Sequence, residues 1–225
     1  MTITAIMQPV YIPWLGYFEQ ILRADHFIFL DDAQYTKQNW RNRNRIRTAT
    51  GWQWLTIPVS RKNLNKPIHD VKIANSHWKR KHLASLQHNY GKCRFYDDIR
   101  DIFEQTIMTH SPLLVDMTIP LIQNICAYLD IAVPHKKSSD IPRTLPGKQE
   151  RLIQICQETG SNILYIGPAA SDYIDLQYFE NNGIKVQYQE YKHPSYKQAY
   201  TGFQSHMSII DVLMNHGPSS RAILE

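Results

Sequence analysis

Two uninterrupted apolar runs near the N-terminus constrain this chain more than any other feature. "TAIMQP" (4–9) reads as a short buried strand stopped by a proline. "HFIFLDD" (26–32) reads as a strand covered on both faces, because its apolar residues do not alternate with polar ones. Between them, "YFEQILRA" (17–24) sets Phe18, Ile21 and Leu22 on one side of a helix. Strand, helix and strand at this spacing form a βαβ unit with a parallel pair, and hence an α/β fold. The last third returns to the same alternation. "KQERLIQICQETG" is a helix ended by Gly160 and "NILYIG" a buried strand. "PAASDYI" is a turn, "DLQYFENNG" a helix with its stop, and "IKVQYQEY" a strand. The expected core is a parallel sheet assembled from N- and C-terminal βαβ units.

The middle of the chain breaks this rhythm. "RNRIRT-ATG-WQWLTIPV" (43–59) has the form of a β-hairpin, with Gly51 suited to the left-handed position ending a three-residue turn. Arg41, Arg43, Arg45 and Arg47 fall on alternate residues and share one face. Leu55, Ile57 and Val59 form the apolar face of the second arm, and Trp52 and Trp54 the other. A turn bulge shifts the register by one, so the face that the arginines join is open. Residues 61–75 read as a loop with a short strand. Residues 76–91 read as a helix capped by Ser76 and closed by Gly91, with Leu83, Leu86 and Tyr90 inward. Two more amphipathic helices follow, so the stretch 76–131 is a helical insert. Residues 133–147, with three prolines, read as a loop. The 225 residues, 43% of them apolar, suit a single domain with parts at 1–75, 76–131 and 148–225.

No run of about 18 apolar residues appears, so no membrane span is expected. "MTITAIMQPV" lacks the charged and long apolar regions of a secretory signal. Cys93, Cys126 and Cys156 are odd in number and widely spaced, which fits a reducing, cytoplasmic setting and offers no zinc spacing. Cys126 and Cys156 sit on apolar helical stripes and belong to the core.

The net charge of +5 conceals an asymmetry. Residues 36–94 hold 14 of the 25 Lys and Arg and one acid, Asp70, so this segment is +13 and the rest of the chain −8. Such a chain presents a basic surface to a phosphate, a nucleic acid or an acidic partner.

Open parallel sheets bind ligands beyond the carboxyl ends of their strands. The first end leads into Gln8, Tyr11 and the Pro13–Trp14–Gly16 loop, and the second into Asp31, Asp32 and Gln34. The third runs from Gly167 through Ser171 towards Tyr173, where a helix start favours an anion, or Ser171 or Asp172 serves as an ordinary cap. Adjacent strand residues point opposite ways, so one of Asp31 and Asp32 faces a site. The helix 76–91 aligns His77, Lys81, Ser85 and His88 on one face, suited to a sugar-phosphate or simply to solvent. "YKHPSYKQAY" (191–200) combines His193, Tyr196 and Gln198 around a proline turn. No G-x-S-x-G elbow is present, which removes a serine triad, and no metal site is expected.

The segment "MQPVYIPWLGYFEQILRADHFIFLDDAQYTKQNWRNRNRI" is similar to the N-terminal signature of the WbqC-like family. "HWKRKHLASLQHNYGKCRFY", "SSDI", "ERLIQICQETGSNILYIGPAASDYID", "GIKVQYQEYKHPSYKQ" and "SIIDVLMNHGPSS" follow that family's pattern in order. The resemblance covers almost the whole chain. It implies a cytosolic enzyme of cell-surface polysaccharide (O-antigen, lipopolysaccharide) biosynthesis, adding a small acyl or aminoacyl group such as glycyl to an activated amino-sugar. By motif position it carries over Gln8, Tyr11, Gly16 and Tyr17, then Asp31, Asp32, Gln34, Tyr35, Lys37, Trp40, Asn42 and Arg43. His77, Lys81 and Asn89 follow, and then Gly167, Tyr173, His193, Pro194, Tyr196 and Gln198. The chain departs from the family at Ile166, where a serine is frequent.

The leading expectation is a transferase. The arginine segment 34–47, with Lys37, Asn42 and Arg43, grips the diphosphate of a nucleotide-sugar, Trp40 or Tyr11 stacks on a ring, and His193 or His77 takes the proton from the amine, with Asp32 a third candidate acid–base group. Gln8, Gln34, Lys81, Gly167, Ser171, Tyr173, Tyr196 and Gln198 complete the binding set. No cofactor is assigned. Three other readings stand beside it: an RNA-binding or tRNA-using module, from the interleaved Arg, Asn and Trp; an adenylating amide ligase, by analogy with nucleotidyltransferase-like α/β enzymes; and a non-catalytic scaffold.

Overall fold

The first apolar run forms β1 (Ile3–Met7). The helix α1 (Leu15–Arg23) turns Leu15, Phe18 and Ile21 inward and passes the chain to β2 (His26–Phe29). The two strands pair in parallel, from Thr4↔His26 to Met7↔Phe29. In this computed structural model, which describes residues 1–36 and 40–225, the basic segment then forms the hairpin of β3 (Arg43–Thr48) and β4 (Gly51–Thr56). Arg45 lies opposite Trp54, and Arg47 opposite Trp52. Directly opposed residues of an antiparallel pair project to the same side, so the arginines join the tryptophans. Asn44, Ile46 and Leu55 take the inner face and are buried. The turn holds two residues, Ala49 and Thr50, rather than three, and Gly51 opens β4 at φ +140°. Residues 61–75 form two 3-10 turns, Arg61–Asn63 and Ile68–Asp70, and meet their neighbours through isolated bridges in place of the expected strand.

The central helices are α2 (His77–Tyr90), α3 (Tyr96–Ile107) and α4 (Val115–Tyr128). The expected details of α2 need correction. Ser76 makes no capping bond, and Asn75 Oδ1 accepts the His77 N–H at 3.1 Å instead. Gly91 closes the helix at φ −60°, in ordinary helical space. The buried face is Trp78, His82, Leu86, Asn89 and Tyr90, while Leu83 is half-buried.

The stretch 133–147 is not loop throughout. It contributes β5 (His135–Lys137), parallel to β2. All three side chains of β5 are exposed, so no apolar pattern announces it; backbone pairing alone makes it a strand. Then come α5 (Lys148–Glu158), β6 (Ile163–Ile166), α6 (Leu176–Asn181) and β7 (Lys185–Tyr188), and finally α7 (Ile209–His216) and α8 (Ser220–Leu224). Gly160, just past α5, sits at φ +65°, where a side chain is strained. Asp175, rather than Ser171 or Asp172, caps α6 by accepting the Tyr178 N–H at 3.2 Å.

The five parallel strands run in the order β5-β2-β1-β6-β7. Winding proceeds outward from β1 through β2 to β5, then returns across the sheet to β6 and β7. That is the doubly wound arrangement, and its direction reverses between β1 and β6. Alternation along the strands sends Ala5, Phe27 and Phe29 to the face covered by α1, the central helices, α7 and α8. Ile6, Ile28, Leu164 and Ile166 go to the other face, under α5 and α6. Burying each large apolar side chain of these layers contributes about 1.5–3 kcal/mol. Cys126 and Cys156 lie in the two layers, and burial pushes both thiols up to about 12. Among the described residues no helix is long and apolar enough to cross a membrane.

Candidate functional site

At the carboxyl ends of the strands the apolar runs give way to Gln8 after β1, Asp31 and Asp32 after β2, Ser138 after β5 and Gly167 after β6. A cleft of about 640 Å³ opens over this edge. Gln8, Asp32, Gln34, Thr36 and Arg41 line one side, and Arg143, Lys148, Arg151 and Tyr173 the other.

Asp31 and Asp32 divide their work as strand alternation requires. Asp31 is fully buried and accepts from Ser138 Oγ (3.0 Å), Ser139 N–H (2.9 Å) and Ser139 Oγ (2.7 Å), which pins the end of β5 against β2. Asp32 faces the cleft, accepts from Arg151 Nε at 2.9 Å and shares the single Ser138 hydroxyl proton with Asp31, its Oδ1 lying 2.6 Å from that Oγ. Arg151, on α5, is itself buried. Its other donors meet the carbonyls of Ser138, Ile141 (2.9 Å) and Pro142 (3.3 Å) and Gln154 Oε1 (3.1 Å). All five of its N–H groups are therefore spent on protein, and Arg151 orients Asp32 rather than reaching a ligand.

Arg41 is the opposite case. It is 7% exposed, and one bond to Thr36 Oγ1 at 2.7 Å is formed by its Nη1. Its Nε is buried without a partner. Among the described residues no carboxylate forms an ion pair with it. Burial pushes the guanidinium below its ordinary range. Keeping an unanswered guanidinium out of water costs several kcal/mol, and an incoming anion removes that cost. Its backbone is fixed by the core, since the Arg41 carbonyl accepts the Tyr11 N–H at 3.1 Å. Thr36, Arg143, Lys148 and Arg151 line the cleft without having been singled out from sequence, while Arg41 belongs to the arginine segment expected to grip a diphosphate. Arg41 carried one signal, its place in an acid-free arginine run.

The remaining expected residues scatter. Gln34 lines the cleft with its Nε2 donating to Asn65 Oδ1 at 2.8 Å, and Tyr173 stands at the mouth, 44% exposed. Lys37 lies outside the described residues. Asn42 is buried in the hairpin, its Nδ2 donating to the Ile57 carbonyl at 2.8 Å. Arg43 packs over the Trp54 ring at 4.4 Å, on the outer face. Trp40 is 45% exposed beside Trp54. Tyr11 is fully buried, with its hydroxyl 2.8 Å from His82 Nδ1. His77 and Lys81 are exposed on the solvent side of α2 and do not line the cleft. Gly167 faces Gln20, whose Nε2 would lie 3.5 Å from a Cβ placed there, and Ser171 Oγ donates to the Pro168 carbonyl of its own turn.

Tyr196 and Gln198 gather elsewhere, around the buried Asp211 of α7, and His193 packs beside Tyr196. Tyr196 OH and Gln198 Nε2 each donate to Asp211 Oδ2 at 2.8 Å, and Tyr90 OH donates to Oδ1 at 2.9 Å. Burial raises the Asp211 carboxyl above its usual range, against these hydrogen bonds and Arg47. Arg47 clamps the same segment from β3, donating to the carbonyls of Thr201 (2.8 Å) and Gly202 (3.0 Å). Both ring nitrogens of His193 are engaged. Nε2 accepts the His206 N–H at 3.1 Å, so Nδ1 carries the proton donated to the Pro194 carbonyl at 2.9 Å. Burial holds this ring below the usual histidine range.

A broader hollow of about 1060 Å³ flanks β6 and β7. Its buried acid, Glu19, is already met by Tyr165 OH (3.0 Å), Gln189 Nε2 (2.6 Å) and Arg23 Nε (3.0 Å), which leaves it little vacancy for a ligand. The cleft, lined by a buried cation with no ion pair among the described residues, is the better candidate.

A sequence model of the family described as the WbqC-like protein family matches residues 8–223 of the chain. The uncharacterized protein Rv1507c of Mycobacterium tuberculosis is 38% identical over 219 residues, which span 95% of this chain and 93% of that relative. No solved structure matches the chain.

Proposed function

This chain belongs to the WbqC-like protein family, and from that premise we propose that it is a transferase of cell-surface polysaccharide (O-antigen) biosynthesis. Its cleft takes a nucleotide-linked amino-sugar, and the sugar amine receives a small acyl or aminoacyl group such as glycyl. The observation that carries the reading is Arg41, a buried guanidinium with an unpartnered Nε lining the cleft. A planar guanidinium fork matches the oxygen pair of a phosphate, as it does that of a carboxylate. Lys148 and Arg143 add positive charge on the opposite wall, and Gln8, Gln34 and the Tyr173 hydroxyl are neutral partners for sugar hydroxyls.

Asp32 is the acid–base group of this reading. Its carboxylate is oriented by Arg151 and lies on the cleft wall, where His77 and His193 do not. The amine nitrogen attacks the acyl carbonyl, a C–N bond forms, the bond to the donor's leaving group breaks, and the amine proton passes to Asp32.

The test is a thermal-shift screen with nucleotide-linked amino-sugars, ATP and coenzyme A. A ligand of the native state raises the melting temperature by mass action. One nucleotide-sugar is expected to stabilise the protein, and the shift is expected to disappear in Arg41→Ala and shrink in the surface variant Arg143→Ala. Absence of any nucleotide-sugar shift, or a shift untouched by both substitutions, overturns the reading.

A further inference from the structure

The outer face of the hairpin is unlike an ordinary solvated sheet. Trp52 and Trp54 of β4 are 43% and 37% exposed, and Trp40 beside them 45%. Their rings do not collapse onto one another in parallel: Trp52 meets Trp54 at 81° and Trp40 meets Trp54 at 50°. Arg43 lies over Trp54 at 4.4 Å, and Arg45 packs between Trp52 (5.1 Å) and Trp40 (5.6 Å). The ladder continues into a notch of about 200 Å³ lined by Trp14, Trp40, Arg45 and His206, in which Trp14 and His206 are near-parallel at 24°. That volume is below the range of whole small-molecule sites and matches a single ring system. The Arg45 Nε is buried without a partner, while its Nη2 donates to the His206 carbonyl at 3.1 Å.

Exposed indoles gathered on one face mark an interaction surface. The chemistry of the cover follows from the charge. Residues 33–69 contain no Asp or Glu, so the face attracts a polyanion. The rings call for flat π-faces repeating along that polyanion. A neutral glycan supplies the flat faces without the charge, and an acidic peptide the charge without the repeat. We propose that this face binds a single-stranded nucleic acid. One base enters the notch, the following bases stack on Trp54 and Trp52, and Arg43 and Arg45 meet the phosphates between them. The inference does not rest on what the cleft takes.

The test is fluorescence anisotropy with a labelled 12-residue oligoadenylate, against heparin of similar charge as a polyanion without bases. Oligoadenylate is expected to bind with a salt slope of about −1.4, from two phosphates at about −0.7 each. Trp52→Ala and Trp54→Ala are each expected to weaken it roughly tenfold or more, leaving heparin binding and the melting temperature unchanged. Arg45→Gln is expected to weaken both ligands. Failure to bind the oligonucleotide overturns the proposal. So does equal binding of heparin and oligonucleotide with no response to either tryptophan substitution, which reduces the face to plain charge.

Discussion

Trp40 and Arg41, consecutive in the chain, line different cavities: the indole the notch of about 200 Å³, the guanidinium the cleft of about 640 Å³. The backbone between them is held by Tyr11, whose N–H donates towards both the Trp40 and Arg41 carbonyls. A change at one of these residues therefore reads out one cavity, provided that Tyr11 stays in place.

Arg41→Met should separate stability from binding. The substitution replaces a buried, unanswered cation with an apolar side chain of similar length, which is neutral to stabilising. The melting temperature of the ligand-free protein should hold or rise. Affinity for a phosphate-bearing ligand should fall about 10- to 100-fold, the worth of a charge-assisted hydrogen bond or two. Calorimetric titration beside a thermal melt measures both; a large drop in melting temperature would show that Arg41 is a structural residue.

Arg151→Ala should behave in the reverse way. It strands Asp32 and three backbone carbonyls next to the cleft. Breaking a buried pair from one side costs about 3–5 kcal/mol, which urea unfolding resolves. Asp32→Asn keeps the shape, so a stability loss well below that of Arg151→Ala is expected, with transfer activity lost if Asp32 takes the amine proton.

Acid should weaken the fold through His82. Burial lowers this ring from 6.5 to about 4, partly offset by a hydrogen bond with the Thr56 backbone. Below pH 6.5 the unfolded chain takes up a proton that the folded chain refuses until about pH 4. Stability from this group is thus complete above pH 6.5 and falls by roughly 3 kcal/mol on the way down to pH 4. Urea midpoints at pH 7 and pH 5 should differ accordingly, and His82→Gln should flatten much of the slope. An unchanged slope in that variant would place the acid sensitivity elsewhere.

Asp211→Ala should loosen the segment 193–206 before it unfolds the sheet. Two buried donors, Tyr90 and Gln198, and the half-buried Tyr196 lose their acceptor at once, at about 1–3 kcal/mol each. Limited proteolysis should cut within 193–206 at protease levels that leave the parent chain intact.

The strands with apolar runs and the amphipathic helices are legible in the sequence because burial on two faces, or on one stripe, leaves a periodic trace. β5 leaves none: "HKK" is exposed on every residue and exists by pairing with β2. The hairpin is legible, but not the company its arginines keep, because a turn of two residues or three reverses the faces. Asp31 and Asp32 are visible as a strand end. Which one turns to the cleft depends on Ser138 and Arg151, more than 100 residues away. Arg41, Arg43, Arg45 and Arg47 look equivalent on paper. Tertiary packing sends one into the cleft, two to the surface and one into the 201–202 backbone.

The place of β1 at the centre of the sheet has a consequence for synthesis. One of its edges pairs with β2, some twenty residues later, but the other waits for β6, with Thr4 opposite Leu164. While the chain is being made, that second edge has no partner until about three-quarters of the protein has emerged from the ribosome. An apolar strand with an open edge is a template for pairing with other chains. The order of the strands thus makes the nascent protein most prone to misassociate through β1, and most dependent on the arrival of β6 to end that exposure.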